Sequence, residues 1–580
     1  ARLFGAPRAV VIDELHTVLD SERGVQLRSL LTRLELAIKR PIRRIGLSAT
    51  LGDMELAKAY LRPDAANAVQ LIEADGGEAE LRLQLRGYLS GDEDENSPSA
   101  TDAISAHLFK HLRGSDNLVF AGARQRVEIY ADRLRELCER EHLPQEFYPH
   151  HASLSREHRD FVERRLKDPA KPTTAVCTST LELGIDIGDV TCVAQIGAPF
   201  SVAALRQRLG RSGRREGQPA ILRQYAIEAK LTPESSFVDR LRLGLIRSIA
   251  MIDLLLEGWC EPPKPQALHL STLVHQILSV IAQRGGASAS VVYNVLCREG
   301  PFRKVTTEVF ADVLRAIGHP VTGLIEQAGS GLLLLGPAGE KLVEHYSFYA
   351  VFQTPEEFRL VAEGRDLGTL PIDNVLAPGM LLIFSGRRWI VQEIHDREKV
   401  IVVKPAKAGV PPVFDGDAGD IHDKVIDRMF AVLEGESSPA YMDTVSLMML
   451  EEARAHYEQL GFRANNMHSI GEHTSVIATR VGTVKTSTLA LALRSQGFSV
   501  EQHDGFLIVE AGDETPDLRS ALEDIRSGAP VDLFAGAGNL ISDKFHQFLT
   551  IELLVRDAES SKLSTQALPD LVKAILQKGT

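Results

Sequence analysis

The stretch "AVVIDELHTVLDSERG", residues 9–24, decides how the rest of the chain is read. Ala9 to Ile12 form a short apolar run that passes straight into Asp13-Glu14-Leu15-His16. A run this short, bounded by a turn signal, fits a strand buried on both faces, as strands of parallel sheets are. Two adjacent carboxylates at the end of such a strand can divide labour. One holds Mg²⁺ through water, and the other polarises an attacking water. Taken alone, the pair is equally what a solvated strand end looks like.

Working outward, residues 25–38 read as an amphipathic helix, and "RIGLSAT", residues 44–50, as a second strand ending in Ser48 and Thr50. A helix over 53–62 and Pro63 close this part, and an acidic Ser/Pro-containing loop occupies 90–100. From residue 103 the pattern is helix, strand "NLVFA" (117–121), helix (123–142) and the extended "EFYPHHAS". A helix (155–167), strand "TTAVCTS", a turn at Gly184, strand "VTCVAQIG" and a helix from 201 follow. Alternation at this spacing predicts a mostly parallel sheet with helices on both faces, whose strand ends carry ligands. After about residue 265 three short helices and a hairpin around Gly329-Ser330-Gly331 give a winged-helix pattern. From about 366 alternating segments, among them "FSGRRWIV", predict an antiparallel barrel or sheet, followed by a helical stretch.

The chain has 580 residues, too many for one core, so three or four domains are expected. Cys138, Cys177, Cys192, Cys260 and Cys297 form no CxxC pair, which argues against a zinc site or disulfide framework. With no apolar run near the ~20 residues that span a bilayer, the reading is a cytoplasmic protein with reduced thiols. Net charge is −13, but nucleic-acid binding depends on the local field of a channel rather than the total. "RQRLGRSGRR", residues 206–215, packs five arginines among ten positions with no acid. Its two glycines argue against a plain solvated helix face.

Four segments carry the chemistry. Asp13 and Glu14 lead, with His16 two residues on. Ser48 and Thr50 end the next strand, 35 positions after Asp13 in the case of Ser48. In "TSTLELGIDIGDV", residues 178–190, hydroxyls of Thr178 and Thr180 can meet phosphodiester oxygens, with Gly184 and Asp186 at a close-approach turn. In "QRLGRSGR", residues 207–214, Arg211 and Arg214 lie three apart and can point into one cleft, as arginines facing a γ-phosphate do.

In order and spacing these segments resemble motifs II, III, V and VI of superfamily 2 helicases. With "RIGLSATLGD", "HHASLSREHR", "LLLEGWCEPP" and "KFHQFLTIELL", the chain is similar to the Lhr (large helicase-related) family over nearly its whole length. The resemblance implies an α/β fold of RecA-like lobes, the first partial, then a winged helix and a β-barrel-containing α+β domain. The expected boundaries are 1–70, 71–250, a linker over 251–265, 266–365 and 366–580. It implies ATP and Mg²⁺ as cofactors, with Asp13 holding Mg²⁺ and Glu14 as general base. His16, Ser48 and Thr50 would couple hydrolysis to the second lobe. Gln207, Arg211 and Arg214 would face the nucleotide, Arg211 first as the finger. Many Lhr relatives have His where Arg214 stands, which leaves its role less firmly assigned.

Gly184 and Asp186 would touch the nucleotide, and Thr178, Thr180, Arg124, His151 and Ser153 would line a nucleic-acid track. His151 alone fits a packed histidine as well. Trp389, flanked by Arg387 and Arg388, fits both a base-stacking aromatic and a barrel-core residue, whereas Trp259 reads as core. The implied partner is single-stranded DNA or an RNA–DNA hybrid, and the implied activity is 3′-to-5′ translocation and unwinding in repair or phage defence. The other reading is a nucleic-acid-binding scaffold without ATPase activity.

The resemblance places Walker A ahead of residue 9, and these residues contain none, so the expectation is a longer polypeptide carrying it upstream. "RVGTVKTSTLALALRS", residues 480–495, looks like a P-loop but has Val484 where glycine must precede Lys485.

Overall fold

The computed structural model describes residues 7–48, 50–73, 80–91, 99–152, 154, 156–182, 187–213, 217–264, 267–352, 357–362, 365–371, 378–379, 381–384, 387–396, 398–405, 420–512, 515–528, 533 and 540–577. In the first lobe, β1 (Ala9–Ile12) pairs in parallel with β2 (Arg43–Gly46). Between them runs α1 (Glu22–Ile38), started by Ser21, whose hydroxyl accepts from Gly24 N–H at 3.2 Å. Asp53 caps α2 (Met54–Leu61) in the same way, and Ile12, Leu15, Leu31, Ala57, Tyr60 and Leu61 form this lobe's core.

The second lobe comprises β3 (Leu81–Ser90), α3 (Ala100–Leu112), β4 (Asn117–Phe120), α4 (Arg124–Arg140), β5 (Phe147–His150) and α5 (Arg156–Leu166). It continues with β6 (Thr174–Cys177), β7 (Cys192–Ile196), α6 (Val202–Leu209), β8 (Ala220–Ala229), α7 (Phe237–Leu241) and α8 (Leu243–Leu256). Its six strands pair in parallel in the order β3-β8-β7-β4-β6-β5. All four residues of β4 and of β6 are buried, as strands covered on both faces must be. Their C-terminal ends share one edge, where parallel sheets gather their ligands.

Next come α9 (Leu270–Arg284), β9 (Ala287–Ser288), α10 (Ala289–Tyr293), α11 (Thr307–Ile317), β10 (Ile325–Gln327), β11 (Leu332–Leu335) and α12 (Pro337–Glu344). The hairpin closes at Gly331, whose N–H donates to Ala328 O, and β9 joins it as a third strand. This helix-and-hairpin unit leans on the first lobe through α1. Ser29 donates to Gln276 at 2.7 Å, and Arg33 Nη1 reaches Gln276 at 3.1 Å and Ser279 at 2.8 Å.

The following sheet is built from β12 (Glu357–Ala362), β13 (Arg365–Pro371), β14 (Leu381–Phe384), β15 (Arg387–His395) and β16 (Val400–Pro405). Its order is β13-β12-β16-β15-β14, and β12 pairs with β16 in parallel. The expected antiparallel barrel or sheet is therefore corrected in one pairing, which makes this a mixed sheet, and in its start, at Glu357. Two hairpins lie side by side in it, and among the described residues its edge strands β13 and β14 do not pair.

The last part is α13 (Asp423–Glu434), α14 (Thr444–Gln459), β17 (Met467–Ser469), β18 (Thr474–Ala478), α15 (Thr483–Ser495), β19 (Ser499–His503), β20 (Phe506–Glu510), α16 (Leu518–Arg526), α17 (Ile551–Lys562) and α18 (Leu568–Gln577). It does not form one body. Helices α13 and α14 enter the core of the second lobe, where Leu85 N–H donates to Tyr441 O and Asp443 N–H to Leu85 O. Leu553 of α17 and Phe545 bury in the helix-and-hairpin core instead. The four-stranded sheet β17-β18-β20-β19 packs residues of α15, α16 and α18 into a third core.

Candidate nucleotide and nucleic-acid site

The turn after β1 is zipped to the end of β2. Leu47 N–H donates to Ile12 O at 2.9 Å, and Leu15 N–H donates to Leu47 O at 2.8 Å. That pairing brings Ser48 beside His16. Asp13 is exposed and its Oδ1 accepts Glu14 N–H at 2.9 Å. Glu14 sits at φ 48°, a left-handed conformation uncommon for a residue with a side chain, and such strain collects at functional turns. Its carboxylate lies 3.6 Å from His16 Nδ1.

His16 links the two lobes. Its Nδ1 lies 2.8 Å from Ser48 Oγ, whose hydroxyl donates onward to Thr50 O at 3.2 Å. With that hydroxyl proton engaged, Nδ1–H is the donor to Ser48, and Nε2 is left as an acceptor. It faces Gln207 Nε2 of α6, which also donates to Thr50 Oγ1 at 3.2 Å. Burial lowers the pKa of His16, with Glu14 opposing, so the imidazole is held in the neutral form this relay requires. Helix α6 is fixed at its start by Ser201, which accepts Ala204 N–H. Glu261 does the same for Val202 and Ala203 N–H at 2.7 and 2.9 Å. His16, Ser48, Thr50 and Gln207 are thus brought together across one inter-lobe crevice.

Arg211, just past the end of α6, is 7% exposed, and its Nη2 donates to Glu182 O at 2.9 Å. The sequence reading overlooked Arg208. Its guanidinium bonds Glu182 Oε2 at 2.9 and 2.7 Å and Gln195 Oε1 at 2.6 Å, and lies over the Phe120 ring. It pins the motif-V segment to α6. Opposite charges at Glu182 in one motif and Arg208 in the other, neither given a ligand role, were the available signal. Gly184, Asp186 and Arg214 lie outside the described residues.

The expected track residues lie at the C-terminal ends of the adjoining strands β4, β6 and β5. Arg124 opens α4 and is exposed. Thr178 and Thr180 follow β6, where Thr180 Oγ1 lies 3.2 Å from His150 O and 2.9 Å from His150 Nδ1. His151 departs from an open-surface role. It is 5% exposed, with Nε2 2.7 Å from Glu128 Oε1 of α4, so packing and an ion-pair partner already engage it. Ser153 lies outside the described residues, as do the side chains of Arg387 and Arg388 on β15. Trp389 is buried at 7% exposure, so as it stands its ring offers no face to a base. Trp259 is half-buried, its ring tilted at 56° and 5.3 Å from that of His422 and under Lys424.

The P-loop-like segment is closed from within. Asp423 Oδ1 accepts Gly482 N–H at 2.7 Å and Asp423 Oδ2 pairs with Lys485, so a carboxylate of α13 occupies the groups that would hold phosphate. Among the described residues no three His, Cys, Asp or Glu side chains gather as a metal cage. An exposed Asp13 at a strand end fits a Mg²⁺ that keeps most of its waters and phosphate ligands. Among the described residues no helix is long and apolar enough to cross a membrane.

A DEAD/DEAH box helicase model matches residues 1–59, and a helicase conserved C-terminal domain model matches residues 100–216. The "ATP-dependent helicase Lhr-Core" of Saccharolobus solfataricus is 32% identical over 70% of this chain and 46% of its own length. The "Lhr helicase/ probable uracil glycosylase" of Mycolicibacterium smegmatis is 27% identical over 71% of this chain and 29% of its own length. The chain thus spans less than half of these relatives. The structure of Mycobacterium smegmatis helicase Lhr bound to ssDNA and AMP-PNP aligns with 98% of this chain and 77% of that one. Its TM-score is 0.68 at 20% identity, which shows a shared fold of RecA-like lobes. By its motif segments, its two helicase regions and these relatives, the chain is similar to the Lhr-family helicases.

Proposed function

We propose that this chain works in an ATP-driven 3′-to-5′ translocase on single-stranded DNA that opens DNA or RNA–DNA duplexes. The observation that carries this is the relay His16–Gln207–Thr50, which joins the carboxylate turn of one lobe to the arginine helix of the other. Asp13 would hold Mg²⁺ through water, which supplies charge neutralisation at the phosphates. Glu14 would orient and deprotonate the attacking water, and Arg211, swung from the Glu182 carbonyl, would meet the γ-phosphate, with Arg214 beside it. Gly184 and Asp186 would touch the nucleotide. Ser48 and Thr50 would pass the change in His16 to the second lobe.

Arg124, Thr178 and Thr180, with Ser153 nearby, would hold the strand's phosphates, and Arg387 and Arg388 would extend that track. The domain after residue 266 is read as a winged helix. Repair or phage defence in the cytoplasm is the proposed setting. No GxxxxGK[ST] segment occurs in these 580 residues. The test is ATP turnover by the full-length polypeptide with single-stranded DNA, with RNA and with neither. DNA-stimulated turnover that Glu14→Gln abolishes is expected. Binding of single-stranded DNA by a full-length chain that never turns over ATP would replace this reading with the scaffold.

A further inference from the structure

The segment between α12 and β12 carries aromatic residues at a spacing of three: Tyr346, Tyr349 and Phe352. Residues Tyr346–Tyr349 form a 3₁₀ turn. In that geometry residues three apart eclipse each other, so the two tyrosines rise on one face, roughly 6 Å apart along the axis. They are 80% and 85% exposed, and no other described aromatic side chain is more than half exposed. Phe352 is exposed as well, with the Arg23 guanidinium 3.8 Å above its ring, and His345 lies 4.5 Å from the Tyr346 ring at the other end.

The backbone beneath these rings is held from three directions. Gln26 of α1 donates to Tyr349 O at 2.9 Å, and His275 of α9 donates to Phe348 O at 2.7 Å. Lys544 donates to Ser347 O and, at 2.9 Å, to Ala350 O. Phe348 itself is the anchor, buried against His275 and Phe545. A turn clamped this firmly presents its two tyrosines with their ordering entropy already spent, and such rings dominate recognition surfaces.

We propose that Tyr346 and Tyr349 form a base-stacking platform for single-stranded nucleic acid, with Phe352 and Arg23 continuing it. The composition favours this occupant. Rings with an arginine at one end and a histidine at the other are what a strand of bases takes, because each base offers a π-face and its backbone seeks cations. The platform hangs on α1, which begins nine residues after Asp13, so a strand held here is tied mechanically to the carboxylate turn. The inference rests on the strand-binding reading above and adds to it a contact outside the lobe edge.

The test is fluorescence anisotropy of a labelled oligothymidylate, and of the same length made abasic, with the full-length protein. Tyr346→Ala and Tyr349→Ala are each expected to weaken binding of the based strand about tenfold, while Tyr→Phe at either position restores it. The abasic strand is expected to bind the wild type and the alanine variants equally. Folding is not at risk, since both rings are exposed. Binding by the wild type that is unchanged in the double alanine variant overturns the platform alone, whereas no binding by the wild type overturns the platform and the strand-binding reading together. Loss of self-association in the double variant, with strand binding intact, assigns the rings to a second copy and likewise overturns it.

Discussion

Replacing Gln207 with alanine removes both polar links between α6 and the first lobe. Gln207 Nε2 meets His16 Nε2 and Thr50 Oγ1, and no backbone group of α6 bridges this pair of contacts. Each net hydrogen bond contributes about 0.5–1.5 kcal/mol, so the closed arrangement of the lobes loses about 1–3 kcal/mol. At about 1.4 kcal/mol per factor of ten, DNA-stimulated ATP turnover in the full-length protein should fall roughly 5- to 150-fold. Thermal stability should barely move, because Gln207 is half-buried at an interface rather than in a core. The assay is steady-state turnover against DNA concentration for wild type, His16→Ala, Gln207→Ala and the double variant. Because the two side chains share one contact, the double variant should be no slower than the worse single variant. Strict additivity, or turnover of Gln207→Ala within twofold of wild type, refutes the relay.

The same relay sets a pH dependence. Burial depresses the His16 pKa below its ordinary 6.5, and protonation would turn Nε2 from acceptor to donor facing the Gln207 amide. Coupling is therefore intact above pH 6.5 and is lost as pH falls through the depressed value; a stimulation profile flat to pH 5 would count against it. His546 is driven down by burial but carried above its ordinary value by Asp557, Asp543 and Glu22. That charged pairing stabilises most below pH 6.5 and fades as pH rises through the raised value. Asp557→Ala, which also removes the acceptor of Leu270 N–H at 3.1 Å, should cost about 2–4 kcal/mol in denaturant melts at pH 6 and less at pH 8.5. Arg33→Ala cuts that side chain's bonds to Gln276 and Ser279, leaving only Ser29 on Gln276, and should speed hydrogen exchange in α9 while leaving β4 and β6 protected. Trp389→Ala should destabilise by about 3–5 kcal/mol, as expected of a buried ring rather than a surface contact. Lys485→Ala should change ATP turnover less than twofold, because Asp423 already holds that lysine.

The motor half was legible because its signals are local. Ile12 to His16 and Arg44 to Thr50 each put a strand and its chemistry within a few residues, and the helix–strand alternation after Ala103 fixed the parallel sheet. The inter-lobe contact of His16 with Gln207 spans 191 positions, and only the known order of motifs pointed to it. No pattern announced that α13 and α14 belong with the second lobe, since Leu85 meets Tyr441 through backbone bonds that carry no side-chain signature. The expectation of an antiparallel barrel or sheet missed one pairing: β12 with β13 and β15 with β16 are antiparallel, and only tertiary packing makes β12 and β16 parallel. His151 and Trp389 were ambiguous for a physical reason, since an amphipathic ring serves a core and a ligand equally well. Tyr346 and Tyr349 passed unnoticed because exposure, not spacing, distinguishes them.

The central claim is that a carboxylate pair from the first lobe and arginine from the second close on one triphosphate. A structure of the full-length protein with a non-hydrolysable ATP analogue, Mg²⁺ and an oligothymidylate tests it most directly. The account predicts Asp13 on a Mg²⁺-bound water, Glu14 beside the in-line water and the Arg211 guanidinium on the γ-phosphate. A γ-phosphate met from another direction, with Arg211 still bonded to the Glu182 carbonyl, would contradict it.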